Sequence, residues 1–188
     1  MDYKIRTVAV EDWAELKTLR LAALSDPAAR VAFVEDYDTC LEAPDSFWRG
    51  RATPAAEGSG STGMIAADAA GTWVAMLAIL DETDPTDLPE RSFNVVESDG
   101  AVPRQTHIVG VYVRPEHRGT GVAELLLWAA VDWSWQHTDA ERVRLWAHGE
   151  NPRALAFYTR IGFEKTGVAM AFPPVPTETE YELALPRT

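Results

Sequence analysis

The sequence predicts a single α/β domain, a central mixed sheet of six to seven strands flanked by helices. Three observations carry this. The chain has 188 residues, 46% of them hydrophobic and 24% charged, enough to build one full core without disulfides or metal staples. Beyond residue 106, apolar β-rich runs alternate with helical patterns, the mark of strands joined by crossovers. The last two runs follow each other directly, so they pair antiparallel and make the sheet mixed in direction.

In chain order, Tyr3–Val8 alternates as a short strand. Glu11–Leu24 has helical spacing: Trp13, Leu16, Ala23 and Leu24 share one face, flanked by Leu19 and Leu21, with Asp12 near the start. Arg20 falls inside that apolar arc, which predicts a stem along the core edge and a charge in water or paired. Residues 28–52 hold one or two further helices, the second around Ser46–Arg49. The small, polar, glycine-rich run Ala52–Gly63 predicts a flexible loop. Its Ser59–Gly63 approaches a nucleophile elbow but has Ser where the first glycine belongs, and no apolar strand leads into it, so a serine hydrolase is rejected. Met64–Asp68 and Trp73–Leu80 read as a hairpin turning at residues 69–72. Residues 81–106 show little periodicity and predict a long loop holding a short strand near Phe93–Val96; a loop of that length points to function. His107–Val113 then reads as a strand, Gly121–Trp135 as an apolar helix, Arg142–Ala147 as a strand and Asn151–Ile161 as a helix. Glu164–Phe172 and Thr179–Leu185 close the sheet.

The formal net charge is −12, which argues against a nucleic-acid partner, since that needs a basic face. The charge is divided unevenly. Residues 1–100 carry 8 Lys/Arg against 19 Asp/Glu, and residues 101–188 carry 9 against 10. An anionic ligand suits the near-neutral half and a cationic one the acidic half. One cysteine, Cys40, leaves no intramolecular disulfide and no cysteine-rich zinc site. His148-Gly149-Glu150 lacks the cysteine pair of a zinc deaminase, so no metal is expected. No apolar run approaches the ~20 residues of a membrane span, and the N-terminus lacks a signal-like stretch. The expectation is a cytoplasmic protein with no membrane partner.

The densest chemical signal is Val111–Glu124, where a strand ends, a turn carries Arg118, Gly119 and Gly121, and a long helix starts at once. Glycines let a ligand approach the backbone, and first-turn amides with the helix dipole behind them favour an anion. The third glycine of a dinucleotide fingerprint would fall at Glu124, and no Gly-Lys-Ser/Thr of a nucleotide phosphate loop follows. The second signal is Asn151–Phe163: Asn151 suits an N-cap, Pro152 the first helical position and Gly162 the residue past the end. Tyr158 reads as a core aromatic with its hydroxyl at the edge.

Together these segments resemble the GNAT superfamily of N-acetyltransferases. Arg118-Gly-Thr-Gly121-Val-Ala123 matches the family's Gln/Arg-x-x-Gly-x-Gly/Ala coenzyme A signature. Asn151, Ala154, Phe157, Tyr158, Gly162 and Phe163 match its later Asn-x-x-Ala-x-x-(Leu/Phe)-Tyr-x-x-x-Gly-Phe element. Leu19–Leu24 and Phe47-Trp48-Arg49 resemble its first helices more weakly. The resemblance implies acetyl-CoA as donor and direct transfer to a bound amine. Backbone amides of Arg118, Gly119, Thr120, Gly121, Val122, Ala123 and Glu124 would hold the pyrophosphate. The pantetheine arm would lie along the strand at Val111 and Val113, Asn151 would bond that arm, and Tyr158 would be the general acid for the departing thiolate. Several relatives place a carboxylate base near the start of the strand where this chain has His107, the candidate base; Glu35, Asp36 and Asp38 are alternatives. On this reading residues 1–106 form the acceptor side, 107–172 the acetyl-CoA core and 173–188 the closing strand. The expected acceptor is a small, cationic, primary amine. The alternatives are acetylation of a protein N-terminus or lysine, and a coenzyme A sensor without turnover; a homodimer is left open.

Overall fold

The computed structural model describes residues 2–53, 60–84 and 103–187. Seven strands, β1 (Lys4–Thr7), β2 (Ser61–Ala67), β3 (Trp73–Glu82), β4 (Gln105–Val113), β5 (Arg142–His148), β6 (Glu164–Phe172) and β7 (Val175–Pro186), form one sheet in the order β1-β2-β3-β4-β5-β7-β6. All neighbours pair antiparallel except β4 and β5. The helices are α1 (Trp13–Leu24), α2 (Tyr37–Glu42), α3 (Asp45–Ala52), α4 (Val122–His137) and α5 (Pro152–Arg160). The parallel pair is the one joined through α4, as a crossover requires.

Each face of the sheet has its own core. On one, α4 buries Val122, Leu126, Leu127, Ala130, Val131 and Ser134, a stripe at helical spacing that packs with α5 over Ile108, Val143 and Leu145. Ser134 is the polar member, and it accepts the Thr106 hydroxyl proton at 2.9 Å, so the helix is pinned to β4 without an orphaned hydroxyl. On the other face, α1 and α3 bring Leu19, Ala23 and Trp48 against Ile65, Met76 and Tyr112. Arg20 is buried on α1 as a paired charge, its guanidinium 2.7 Å from Glu35 and stacked 4.3 Å from the Phe33 ring.

Several boundaries differ from the sequence reading. Val10–Asp12 is a 3-10 turn and α1 begins at Trp13, because the Asp12 carboxylate is taken by Arg6 and the Ala9 amide. Thr62 and Gly63 belong to β2 rather than to the loop, since they pair with Ile79 and Ala78, and a Cβ on Gly63 would lie 3.0 Å from Val8. β3 runs on to Glu82 and β7 starts at Val175, where polar residues alternate with pairing still intact. The strand expected near Phe93–Val96 lies outside the described residues.

The feature that positions the site is a fork. β4 and β5 pair only from Gln105–Ile108 to Arg142–Leu145, although β4 continues to Val113 and β5 to His148. At the divergence the β3–β4 register slips, and Gly110 adopts φ +66°, a left-handed conformation that bends β4 away.

Candidate active site

Beyond Ile108 the β4 arm of the fork has no β5 partner among the described residues. Arg114 donates its amide to Val74 on the β3 side, so alternation turns the amide and carbonyl of Val113 toward the fork. The Arg118 guanidinium takes that carbonyl at 3.1 Å and reaches Asp26 at 2.5 Å. The Arg118 side chain therefore clamps the turn to the end of α1 instead of facing a ligand, and its own amide bonds back to Pro115.

Beyond it the backbone opens. Gly119 and Gly121 have φ +79° and +87°, and no described residue lies within 4 Å of where a Cβ on either would point. Gly121 is the N-cap of α4, and no side chain among the described residues caps the helix. Leu125 makes the first intrahelical bond, to Gly121, so the amides of Val122, Ala123 and Glu124 have no acceptor within the helix. Tyr3 fixes the turn from outside: its hydroxyl donates to Thr120 Oγ1 at 2.9 Å, and Thr120 donates to the His117 carbonyl at 2.7 Å. Among the described residues, the uncapped amides and two left-handed glycines make a nest of the kind that binds anions.

On the same face, α5 follows β5. Its N-cap is Asn151, whose Oδ1 accepts the Ala154 amide at 3.1 Å while Nδ2 reaches the Val31 carbonyl at 3.4 Å. Both ends of the Asn151 side chain are thus engaged within the protein, as the cap reading expects. Tyr158 is buried among the α4–α5 core residues, and burial pushes its hydroxyl up to about 12.

The opposite face holds a buried polar network that sequence reasoning missed. His107 is not at a solvent edge: it lies inside the sheet, with Nδ1 3.1 Å from Glu82 Oε1. Glu82 Oε2 also meets Arg144 at 2.7 Å and accepts from Gln105 Nε2 at 2.9 Å. Arg144 spans to Glu182 Oε1 at 3.2 Å, and the other Glu182 oxygen accepts the Thr166 hydroxyl proton at 2.7 Å. Burial alone would raise the Glu82 carboxyl, but His107 and Arg144 more than offset it and hold it down to about 2. For His107 burial dominates and lowers the pKa below the ordinary imidazole value despite Glu82. A neutral imidazole already bonded at Nδ1 is a weaker base than the free side chain.

Further along this face, β5 and β7 carry His148, Glu178 and Glu180. His148 Nδ1 accepts the Glu150 amide, which leaves the proton on Nε2, 2.8 Å from Glu178 Oε2. Arg30 joins Glu178 and Glu150 at 2.9 and 2.5 Å, so the turn after α1 is strapped over the end of β5. Two of the three alternative bases are already committed. Glu35 is clamped between Arg20 and Arg51, and Asp36 caps α2 through the Thr39 amide. Asp38 lies exposed in the first turn of that helix. An open cleft of about 450 Å³ lined by Glu35, Asp36, Glu42 and Phe47 shares no lining residue with the fork.

The sequence-predicted residues thus fall on two sides. Val111, Val113, the 118–124 turn, Asn151 and Tyr158 gather along the fork and the α4–α5 face, while His107 comes from the face covered by α1–α3. Among the described residues no cluster of His, Cys, Asp and Glu has metal-binding geometry, and no helix is long and apolar enough to cross a membrane.

The model of the acetyltransferase (GNAT) family matches residues 18–163. No curated protein sequence matches significantly. Among solved structures, a GNAT-family acetyltransferase from Streptococcus pneumoniae superposes with a TM-score of 0.74 at 16% identity, over 100% of both chains. NAA60 from Arabidopsis thaliana, in complex with a bisubstrate analogue, gives 0.68 at 14% identity over 100% of both. Mutant forms of the spermidine/spermine N-acetyltransferase SpeG from Vibrio cholerae give 0.63 at 15% identity, covering 98% of this chain and 95% of theirs. At these identities the structures speak for the fold, and the family match spans most of the chain: it belongs to the GNAT acetyltransferase family.

Proposed function

We propose that this acetyltransferase moves the acetyl group of acetyl-CoA directly onto the primary amine of a small, cationic acceptor. The observation that carries it is the fork. A β4 arm that β5 has left, a glycine nest and the open amide end of α4 lie along one path, and ionisable residues lie on the other face of the sheet. The pyrophosphate sits on the amides from Gly119 to Glu124, and the pantetheine arm runs along Val111 and Val113 as an added strand. Asn151 shapes the β5 side of that channel. Tyr158 stands on the face where the thiolate departs, opposite the face where the amine arrives. Acetyl-CoA supplies the activated acyl carbon, and this chain orients it, excludes water and manages protons.

The first test is donor binding. Gly121→Val forces a β-branched residue into φ +87° and fills the open nest, so the acetyl-CoA dissociation constant should rise at least about tenfold, or ~1.4 kcal/mol. Isothermal calorimetry on the folded variant checks it, and unchanged affinity would remove the phosphate site from that turn.

The acceptor class rests on charge. Residues 1–100 hold the chain's excess of carboxylates, and structurally similar enzymes include one named for spermidine and spermine. Cationic amines should therefore outcompete neutral ones, with the preference weakening as salt rises. Competition kinetics at low and high ionic strength read this directly; equal rates on neutral and cationic amines at low salt would reject it.

A further inference from the structure

We propose that Glu180 is the group that meets the acceptor's ammonium and takes its proton before attack, an assignment that rests on the acetyl-transfer reading above. β7 presents Glu178, Glu180 and Glu182 to the acceptor face at every second position. The outer two are committed, Glu178 to Arg30 and His148 and Glu182 to Arg144 and Thr166. Glu180 lies between them, partly buried, with no hydrogen bond or ion pair among the described residues.

Its place in the sheet puts it beside the end of the β5 arm of the fork. Glu180 stands opposite His148, the last residue of β5, where that strand has left β4. One position back on the same β5 face, Trp146 keeps its buried Nε1–H without a partner among the described residues. Trp146 stands opposite Glu182 and diagonal to Glu180 in the register, so an unsatisfied donor and an unpaired carboxylate share this face, and a polar ligand group there would satisfy both.

The charged and titratable groups facing Glu180 are Glu178 and Glu182 from β7, His148 and Arg144 from β5, and Arg30 from the turn after α1, while β6 offers Met170. None of them sets its acidity: burial alone raises the carboxyl to about 7. Such a carboxylate can accept a proton from an ammonium and pass it to solvent near neutral pH. His107, the alternative by strand position, is bonded to Glu82 and is weakened as a base by burial.

The step balances. The ammonium gives one proton to Glu180, the freed lone pair attacks the thioester carbonyl carbon, and a C–N bond forms as the C–S bond breaks. The C–S electron pair leaves on sulfur, which takes a proton from the Tyr158 side. The nitrogen loses a second proton, so one proton is released overall per amide and thiol formed.

The test compares wild type, Glu180→Gln and Glu180→Asp in a thiol-release assay with acetyl-CoA and spermidine across pH, repeated with any cationic amine of a panel that turns over faster. Wild-type kcat/KM should rise with pH along a limb near 7. Glu180→Gln should lose that limb and fall on the order of 10²-fold with unchanged donor affinity, while Glu180→Asp should keep a displaced limb. Carbon-detected NMR of glutamate-labelled protein should show one carboxyl titrating near pH 7 in wild type and missing in Glu180→Gln, a readout independent of turnover. A folded Glu180→Gln enzyme with full activity and an unaltered profile overturns the assignment while leaving acetyl transfer standing. Loss of the limb in His107→Asn together with its retention in Glu180→Gln overturns it in favour of the imidazole. A wild type that binds acetyl-CoA yet acetylates no amine overturns the underlying reading instead.

Discussion

Arg144→Met is expected to cost about 3–5 kcal/mol of folding stability, because it leaves two buried carboxylates without their shared cation. Arg144 is 0% exposed and lies between Glu82 at 2.7 Å and Glu182 at 3.2 Å. The methionine fills the space but cannot balance charge. The denaturation midpoint should fall with the slope unchanged, the signature of lost stability rather than an altered unfolded state. The same network predicts the acid limit. Glu82 is held down to about 2 from an ordinary 4.5, so its contribution is complete above about pH 4.5 and is lost as pH falls toward about 2. Removing Arg144 lifts that carboxyl, so acid unfolding should begin at higher pH in the variant. A variant as stable as wild type across this range would mean the carboxylates are neutral in the folded protein.

The second large effect is on chemistry. Tyr158→Phe should leave acetyl-CoA affinity nearly intact and lower kcat on the order of 10²-fold. The hydroxyl, pushed up to about 12 by burial, stays protonated throughout the working range. On the proposed reading, an acid that weak would stabilise the thiolate by a hydrogen bond as the C–S bond stretches, with proton transfer completing late. Two consequences can be measured together: a kcat-selective loss in Tyr158→Phe, and a wild-type profile with no alkaline fall assignable to tyrosine ionisation below about pH 10. Full turnover in the variant would give the thiolate's proton to solvent or to the acceptor.

How much of the molecule is legible in its sequence depends on how local each feature is. The 118–124 turn and the Asn151–Phe163 helix are contiguous, and backbone conformation and capping dictate their residue types, so the order of residues alone marks them. β4, β5 and α4 are legible for a related reason, since apolar runs bounded by Gly and Pro leave few alternatives. The face covered by α1–α3 is not. Glu82, Arg144, Glu180 and Glu182 alternate with apolar residues, as side chains on a solvated sheet face do, and nothing local tells that the face is covered. Their burial comes from pairing between strands far apart in the chain. His107 stands out by its strand position, but the Glu82 beneath it is 25 residues away. One signal is present: three glutamates at every second position on a closing strand imply a charged stripe, and a stripe beside Arg142 and Arg144 implies partners. Which glutamate is left over is not legible locally: Arg30, far away in the chain, takes Glu178, and Arg144 takes Glu182.

The most direct measurement of the central claim is thiol release from acetyl-CoA against a panel of cationic polyamines, neutral amines, aminoglycosides and peptides, with the product identified by mass spectrometry. The account predicts stoichiometric thiol and a singly acetylated cationic amine, with peptides and neutral amines turned over far more slowly. Donor binding without thiol release on any acceptor, or release confined to peptides, would contradict it.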